Sequence, residues 1–297
     1  VADGAMLATV VLDPSVARRS YRTLEPIHAM VYFSPHATDA YLDVGLPDAR
    51  TGYFASRAAA MGPVAAPLVV ATFFNFNPAL VAAAIPAAWD AASPVAVLAA
   101  RYEAVDRSLR QAWGPGATGA DVAEAAGLAR RAAERAGSRP EGRPLFAAHA
   151  SLPWPDEAHL VLWHAQTLLR EYRGDAHVAL LTVAGLDAVE ALVVHAATGQ
   201  VPAKVLRRSR GWTEGDWAAG TERVRDRGWL EPGPTLRLSP AGQHARQVVE
   251  DDTDALSVAP YEALGVDGCS RLRSLARPLA DAVIDAGLLA ARFPVED

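Results

Sequence analysis

His164, Glu171 and His177 are the side chains whose types and spacing are best suited to chemistry in this chain. His164 and Glu171 lie seven residues apart, so on a helix they project within roughly 20° of each other, two turns apart. Thr167 shares their face. Arg173, Asp175 and His177 follow at once. Taking Arg173-Gly174-Asp175 as a helix break, with Asp175 capping a new helix from Ala176, folds His177 back toward Glu171. A histidine beside a carboxylate serves acid–base catalysis, orients an imidazole, or ligates a metal. In an enzyme, His164 or His177 would move the proton and Glu171 would orient it. Arg57 or Arg173 would hold an anionic group of the substrate. The plain structural alternative pairs Glu171 with Arg173, leaves Asp175 as a cap, and makes His164 a buried histidine beside Trp163.

The N-terminal half offers a second set. Glu25, His28 and Tyr32 fall at three- and four-residue spacing on one helix face, as do Tyr53 and Arg57 on a later helix. Phe73, Phe74 and Phe76, with Asn75 and Asn77 between and beside them, supply an aromatic wall carrying amides. Aromatic walls with a few convergent polar groups make small-molecule pockets, whereas an ordinary aromatic core with Arg57 at a helix end is the simpler alternative. Together the two sets predict a pocket between the halves of the chain, with His28, Tyr32, Tyr53, Arg57, Phe73, Asn75, Arg173 and Asp175 as ligand-binding residues.

No metal ligands are assigned. The histidine spacing matches neither H-E-x-x-H nor a cysteine-bearing zinc site, and a metal would need distant residues such as His28 or His149. No cofactor is identified, since the phosphate-binding and dinucleotide-binding glycine patterns are absent, as is a G-x-S-x-G elbow. Cys269 is the sole cysteine and has no motif around it.

The elements that must position these groups read as helices. Alanine, valine and leucine recur at helical spacing far more than in alternation. Helices are expected over 15–33, from Pro35 with Ser34 as cap, through Tyr53 to Arg57, over 67–74, 79–89, 94–112 and 119–136. Residues 137–144, GSRPEGRP, read as a linker. They divide the chain into an N-terminal helical domain, 1–140, and a second domain, 141–297. In the second, helices at 176–184 and 187–198 lead to TEGDWAAGTERVRDRGWLE, then to a strand, a Pro-Gly turn, a return strand and Ser239-Pro240 opening another helix.

Composition sets the class. Of 297 residues 51% are hydrophobic, which is ample for packed cores, and the net charge of −6 disfavours a phosphate-backbone partner. A lone thiol suits a reducing compartment. The start VADGAMLATVVLDPS lacks a basic leader region, and no apolar run approaches a membrane span. The expectation is a cytoplasmic protein without a membrane partner, able to form a homodimer.

The segment Leu236-Arg237-Leu238-Ser239-Pro240-Ala241-Gly242 resembles the wing and following helix of MarR-type winged-helix regulators. The motifs HAMVYFSP, GYFASRAAAMG, ATFFNFNP, LLREYRGDAH and RGWTEGDW resemble an actinobacterial family of helix-turn-helix-like proteins over about residues 20–285. That resemblance implies a fold type and assigns no catalytic residue. The fold expected is mainly α, an N-terminal helical domain followed by a winged-helix-like domain with a small β-wing. A recognition helix would begin Thr213-Glu214-Gly215-Asp216-Trp217, placing two carboxylates where DNA phosphates approach and no base-reading side chain in the first turn. Lys204, Arg207, Arg208 and Arg210 are the counterweight. The functional reading is a small-molecule-binding protein with its pocket between the halves. The alternatives are a MarR-like regulator acting on duplex DNA and a cofactor-independent acid–base enzyme.

Overall fold

Polar caps and alanine-rich stretches set the helices of this chain. In the computed structural model, which describes residues 12–289, the regular structure is helical. Helices α1 (Ser15–Ala29), α2 (Pro35–Asp43), α3 (Ala49–Ala58), α4 (Ala66–Phe73), α5 (Pro78–Ala82), α6 (Ala87–Ala91), α7 (Pro94–Trp113) and α8 (Ala120–Ala136) precede the 137–143 connector. After it come α9 (Pro144–Ala150), α10 (Ala158–Val183), α11 (Ala188–Ala196), α12 (Ala203–Ser209), α13 (Glu214–Asp226), α14 (Pro240–Ser257) and α15 (Gly265–Asp285). Ser34, Asp48, Asn77, Ser93, Thr213 and Ser239 each accept a backbone N–H at a helix start, as the Ser34-Pro35 pair predicts for α2. Most of the sequence run read for a leader lies outside the described residues.

Helix α10 is the central rod. It packs on α8, α1, α14 and α9, and its residues from His159 to Leu169 are all buried. The buried face of α8 is rich in small residues, among them Ala125, Ala129, Ala132 and Ala136, which suits close packing on its neighbours. The large core draws on both sides of the connector, because α15 returns to pack on α1, α7 and α8. A smaller core joins α11 to α13 through Val189, Val193, Val194, Val224, Leu230 and Leu238. Gly220 is required there: an added Cβ would stand 2.5 Å from Val189 Cγ1. No single helix among the described residues is long and apolar enough to cross a membrane.

Three expectations are corrected. First, Arg173-Gly174-Asp175 does not break the chain, and α10 runs through it to Val183. A helical glycine costs only about 1 kcal/mol, which the burial of Tyr172, Arg173 and Ala176 around it offsets. Asp175 does cap a helix, but a different one: its carboxylate accepts the Phe146 N–H at 2.9 Å, in the first turn of α9. His177 therefore does not fold back toward Glu171.

Second, the 79–89 helix is divided into α5 and α6, because Pro86 cannot donate to a continuing helix.

Third, no β-wing of paired strands forms among the described residues. Leu230 and Leu238 make one antiparallel bridge, flanked by bonds from Glu231 N–H to the Arg237 carbonyl and from Ser239 N–H to the Trp229 carbonyl, both 2.9 Å. Pro232 and Pro234 on one side and Pro240 on the other have no N–H, so the ladder stops after one rung.

Candidate functional site

The sharpest backbone feature lies where α4 ends. Phe74 takes φ 61° and ψ −57°, and the Asn75 N–H reaches back to the Phe73 carbonyl at 2.7 Å. This is the strained form of the γ-turn, rare for a bulky residue. It directs Phe73 and Asn75 onto two adjoining cavities of about 410 and 280 Å³. Both cavities are also lined by His177 and Val178 of α10, His195 of α11 and Glu250 of α14.

Arg57, Arg170, Glu171, Arg173 and Asp175 wall the larger cavity. Arg170 donates to Glu25 at 3.1 Å and to Glu171 at 2.9 Å. Its two partners diverge. Burial raises the Glu25 carboxyl despite Arg170, whereas at Glu171 burial is outweighed by Arg170, Arg57, His149 and Arg101, and the carboxyl falls below its usual value. Arg57 Nη1 donates to the Tyr53 hydroxyl at 2.9 Å. Burial alone would raise that phenol, but Arg57, Arg210 and Arg170 hold it below its ordinary value. Arg173 bonds to Asp254 at 2.6 Å and Glu250 at 3.3 Å, so the alternative pairing with Glu171 does not occur. Burial pushes Asp175 up to about 6.

The hydroxyls fix two imidazole tautomers. Thr253 Oγ1 donates to the Val249 carbonyl at 2.6 Å, so toward His177 Nδ1, 3.0 Å away, it accepts. His177 thus carries its proton on Nδ1 and keeps a lone pair on Nε2, beside Glu250 rather than Glu171. In the same way Thr167 Oγ1 donates to the Trp163 carbonyl and accepts from His28 Nδ1, leaving His28 Nε2 to accept from the Tyr32 hydroxyl at 2.9 Å. The His28 ring lies stacked on Trp163, 5.5 Å between centroids. Burial, then Arg170, holds its imidazole well below the usual range.

Of the residues singled out in sequence, Arg57, Phe73, Asn75, Glu171, Arg173, Asp175 and His177 share the larger cavity. Tyr53 and Tyr32 stand one layer behind it, around Arg57, whose guanidinium is 5.5 Å and 5.8 Å from their ring centroids. His28 is behind Tyr32. His164 does not join them: its Nδ1 meets the Tyr102 hydroxyl at 2.6 Å, with Trp154 edge-on at 4.7 Å. Sequence reasoning did not single out Arg170, His195, Arg210 and Glu250 as site residues. Arg170 had a local signal, three residues from Thr167 on the same side of the helix. His195 and Glu250 reach the cavity from distant helices with no pattern of their own.

Chemically, the wall offers cations, carboxylates, an amide and a neutral imidazole base around an aromatic floor. Among the described residues no three His, Cys, Asp or Glu side chains are grouped to hold a metal ion. The sequence from residue 17 to 290 matches a helix-turn-helix family. No curated protein and no solved structure matches the chain.

Proposed function

The chain belongs to this helix-turn-helix family, and on that premise we propose that it binds a small organic molecule in the two adjoining cavities. The segment just before α13 then contributes to the wall of the ligand site through Leu206 and Arg210. The observation that carries this reading is the six residues common to both cavities, contributed by the end of α4 and by α10, α11 and α14. Volumes of about 410 and 280 Å³ suit a ligand of ordinary metabolite size. A second reading, acid–base chemistry on that molecule, is favoured by the unshared Nε2 of His177 beside Glu250. A MarR-like regulator is compatible with the family. The Arg207–Glu214 pair at 2.8 Å, which ties up part of the basic cluster, weighs against it.

Val178→Trp tests the reading, because Val178 lines both cavities. Native mass spectrometry of gently purified protein, followed by a thermal-shift screen of metabolites, supplies the ligand. Wild type is expected to bind it and Val178→Trp to lose it while keeping its helical circular dichroism. Equal binding by the folded variant would mean that the ligand sits elsewhere.

A further inference from the structure

Arg57 and Arg210 approach the two cavities without a carboxylate partner. Arg57 Nη1 is spent on Tyr53 and its buried Nε has no acceptor. Arg210 Nη1 donates to Ser209 Oγ at 3.0 Å, and its Nε is likewise buried and bare. Each guanidinium rests on an aromatic face instead, Arg57 at 4.0 Å from the Phe73 centroid and Arg210 at 4.7 Å from that of Phe76. An aromatic face compensates a desolvated cation only in part.

Arg57 lines the larger cavity and Arg210 the smaller. Tyr53 connects them, its hydroxyl bonded to Arg57 and its ring 5.8 Å from the Phe76 ring under Arg210. Both cations act on that phenol. Glu171, on the same wall as Arg57, is already held by Arg170. The strained turn at Phe74 aims Phe73 and the Asn75 side into the gap, and Trp212 Nε1 clamps the Asn75 carbonyl at 3.0 Å from behind. The result is a pair of guanidiniums at the two cavities that no carboxylate bridges.

We propose that the ligand carries an anionic oxygen group, a carboxylate or a phosphate monoester, seated between Arg57 and Arg210, with Tyr53 in the layer behind them. The proposal rests on the cavities being the ligand site. The anion would accept from the terminal N–H groups of the two guanidiniums, which no carboxylate holds, and offset their mutual repulsion.

The test uses benzoate, phenyl phosphate and neutral benzamide at matched ionic strength, read as melting-temperature shifts and by calorimetric titration. Wild type and the exposed control Arg208→Met should be stabilised saturably by benzoate or phenyl phosphate and not by benzamide. The anion giving the larger shift identifies the group. Arg57→Met and Arg210→Met should lose the response while keeping their helical circular dichroism. If Arg57→Met fails to fold, Arg57→Lys should bind the anion about tenfold more weakly, having lost one charge-assisted bond. An equal response to benzamide, a response that persists in both methionine variants, an unchanged affinity in Arg57→Lys, or no saturable shift with either anion overturns the proposal. A neutral ligand captured by wild type and lost in Val178→Trp would sink the anion alone and leave the cavity reading standing.

Discussion

Two imidazoles in the interior are held neutral by their surroundings. Burial and then Arg101 press His149 down to about 3, and burial, Arg101 and Arg130 press His164 down to about 4. Both ordinarily titrate near 6.5, so between about 4 and 6.5 the unfolded chain takes up protons that the fold refuses. Their contribution is fully present above 6.5 and is lost as pH falls. Asp175 acts in the opposite sense: raised to about 6, it holds a proton in the fold that the unfolded chain has released, so its contribution grows as pH falls from 6 toward 3.8. His28, also held down by burial, acts in the same sense as these two, so the imidazoles outweigh Asp175. Stability should therefore fall on acidification through this window, each histidine contributing on the order of 3 kcal/mol at most. Urea midpoints measured at about pH 7.5 and about pH 5 should differ clearly for wild type. His149→Gln and His164→Gln should each narrow the gap, and an unchanged gap in the double variant would show that these imidazoles are not what titrates.

At the scale of elements, α10 decides the geometry, and Gly174 tests whether it is one rod. An alanine Cβ there would meet Glu171 Oε2 at 3.5 Å, an ordinary contact. Gly174→Ala should stabilise the protein by up to about 1 kcal/mol, because alanine is the better helix former and restricts the unfolded chain. A loss of melting temperature would instead indicate a corner at 173–175. The same helix shows what was legible in the sequence. Pairs four residues apart, His28 with Tyr32 and Tyr53 with Arg57, were readable from helical periodicity and do bond. So was the Thr213–Asp216 capping box of α13. Partners supplied from elsewhere were not. Asp175 carries a capping signature that cannot say which helix it caps, and Glu250 approaches His177 from a helix more than seventy residues later. The Arg-Gly-Asp run looks like a breaker only when the packing that buries its flanks is left out. The missing wing was legible in principle, since Pro232, Pro234 and Pro240 bound the ladder on both sides.

In the whole molecule, the segment that would read DNA is bound to the loop that walls the two cavities. The loop after the strained turn accepts Trp212 Nε1 at the Asn75 carbonyl, and its Asn77 N–H donates to the Arg210 carbonyl at 2.9 Å. Gly211, with φ 76°, brings its backbone so near Leu80 that an added Cβ would lie 2.9 Å from Leu80 Cδ2. The turn just before α13 is thus packed on the N-terminal half, and the first turn of α13 presents Glu214 and Asp216. Of the basic residues nearby, Arg207 is paired with Glu214 and Arg210 is turned inward toward Phe76, which leaves Lys204, Arg208 and Arg237 exposed. A phosphate backbone gains most from several cations acting together, and here few remain on a chain of net charge −6. Fluorescence anisotropy with random and promoter-derived duplexes at physiological salt should give binding no tighter than the non-specific range of about 10⁻⁴–10⁻⁶ M. Submicromolar, salt-steep binding that weakens in Arg207→Ala or Arg208→Ala would restore the regulator reading.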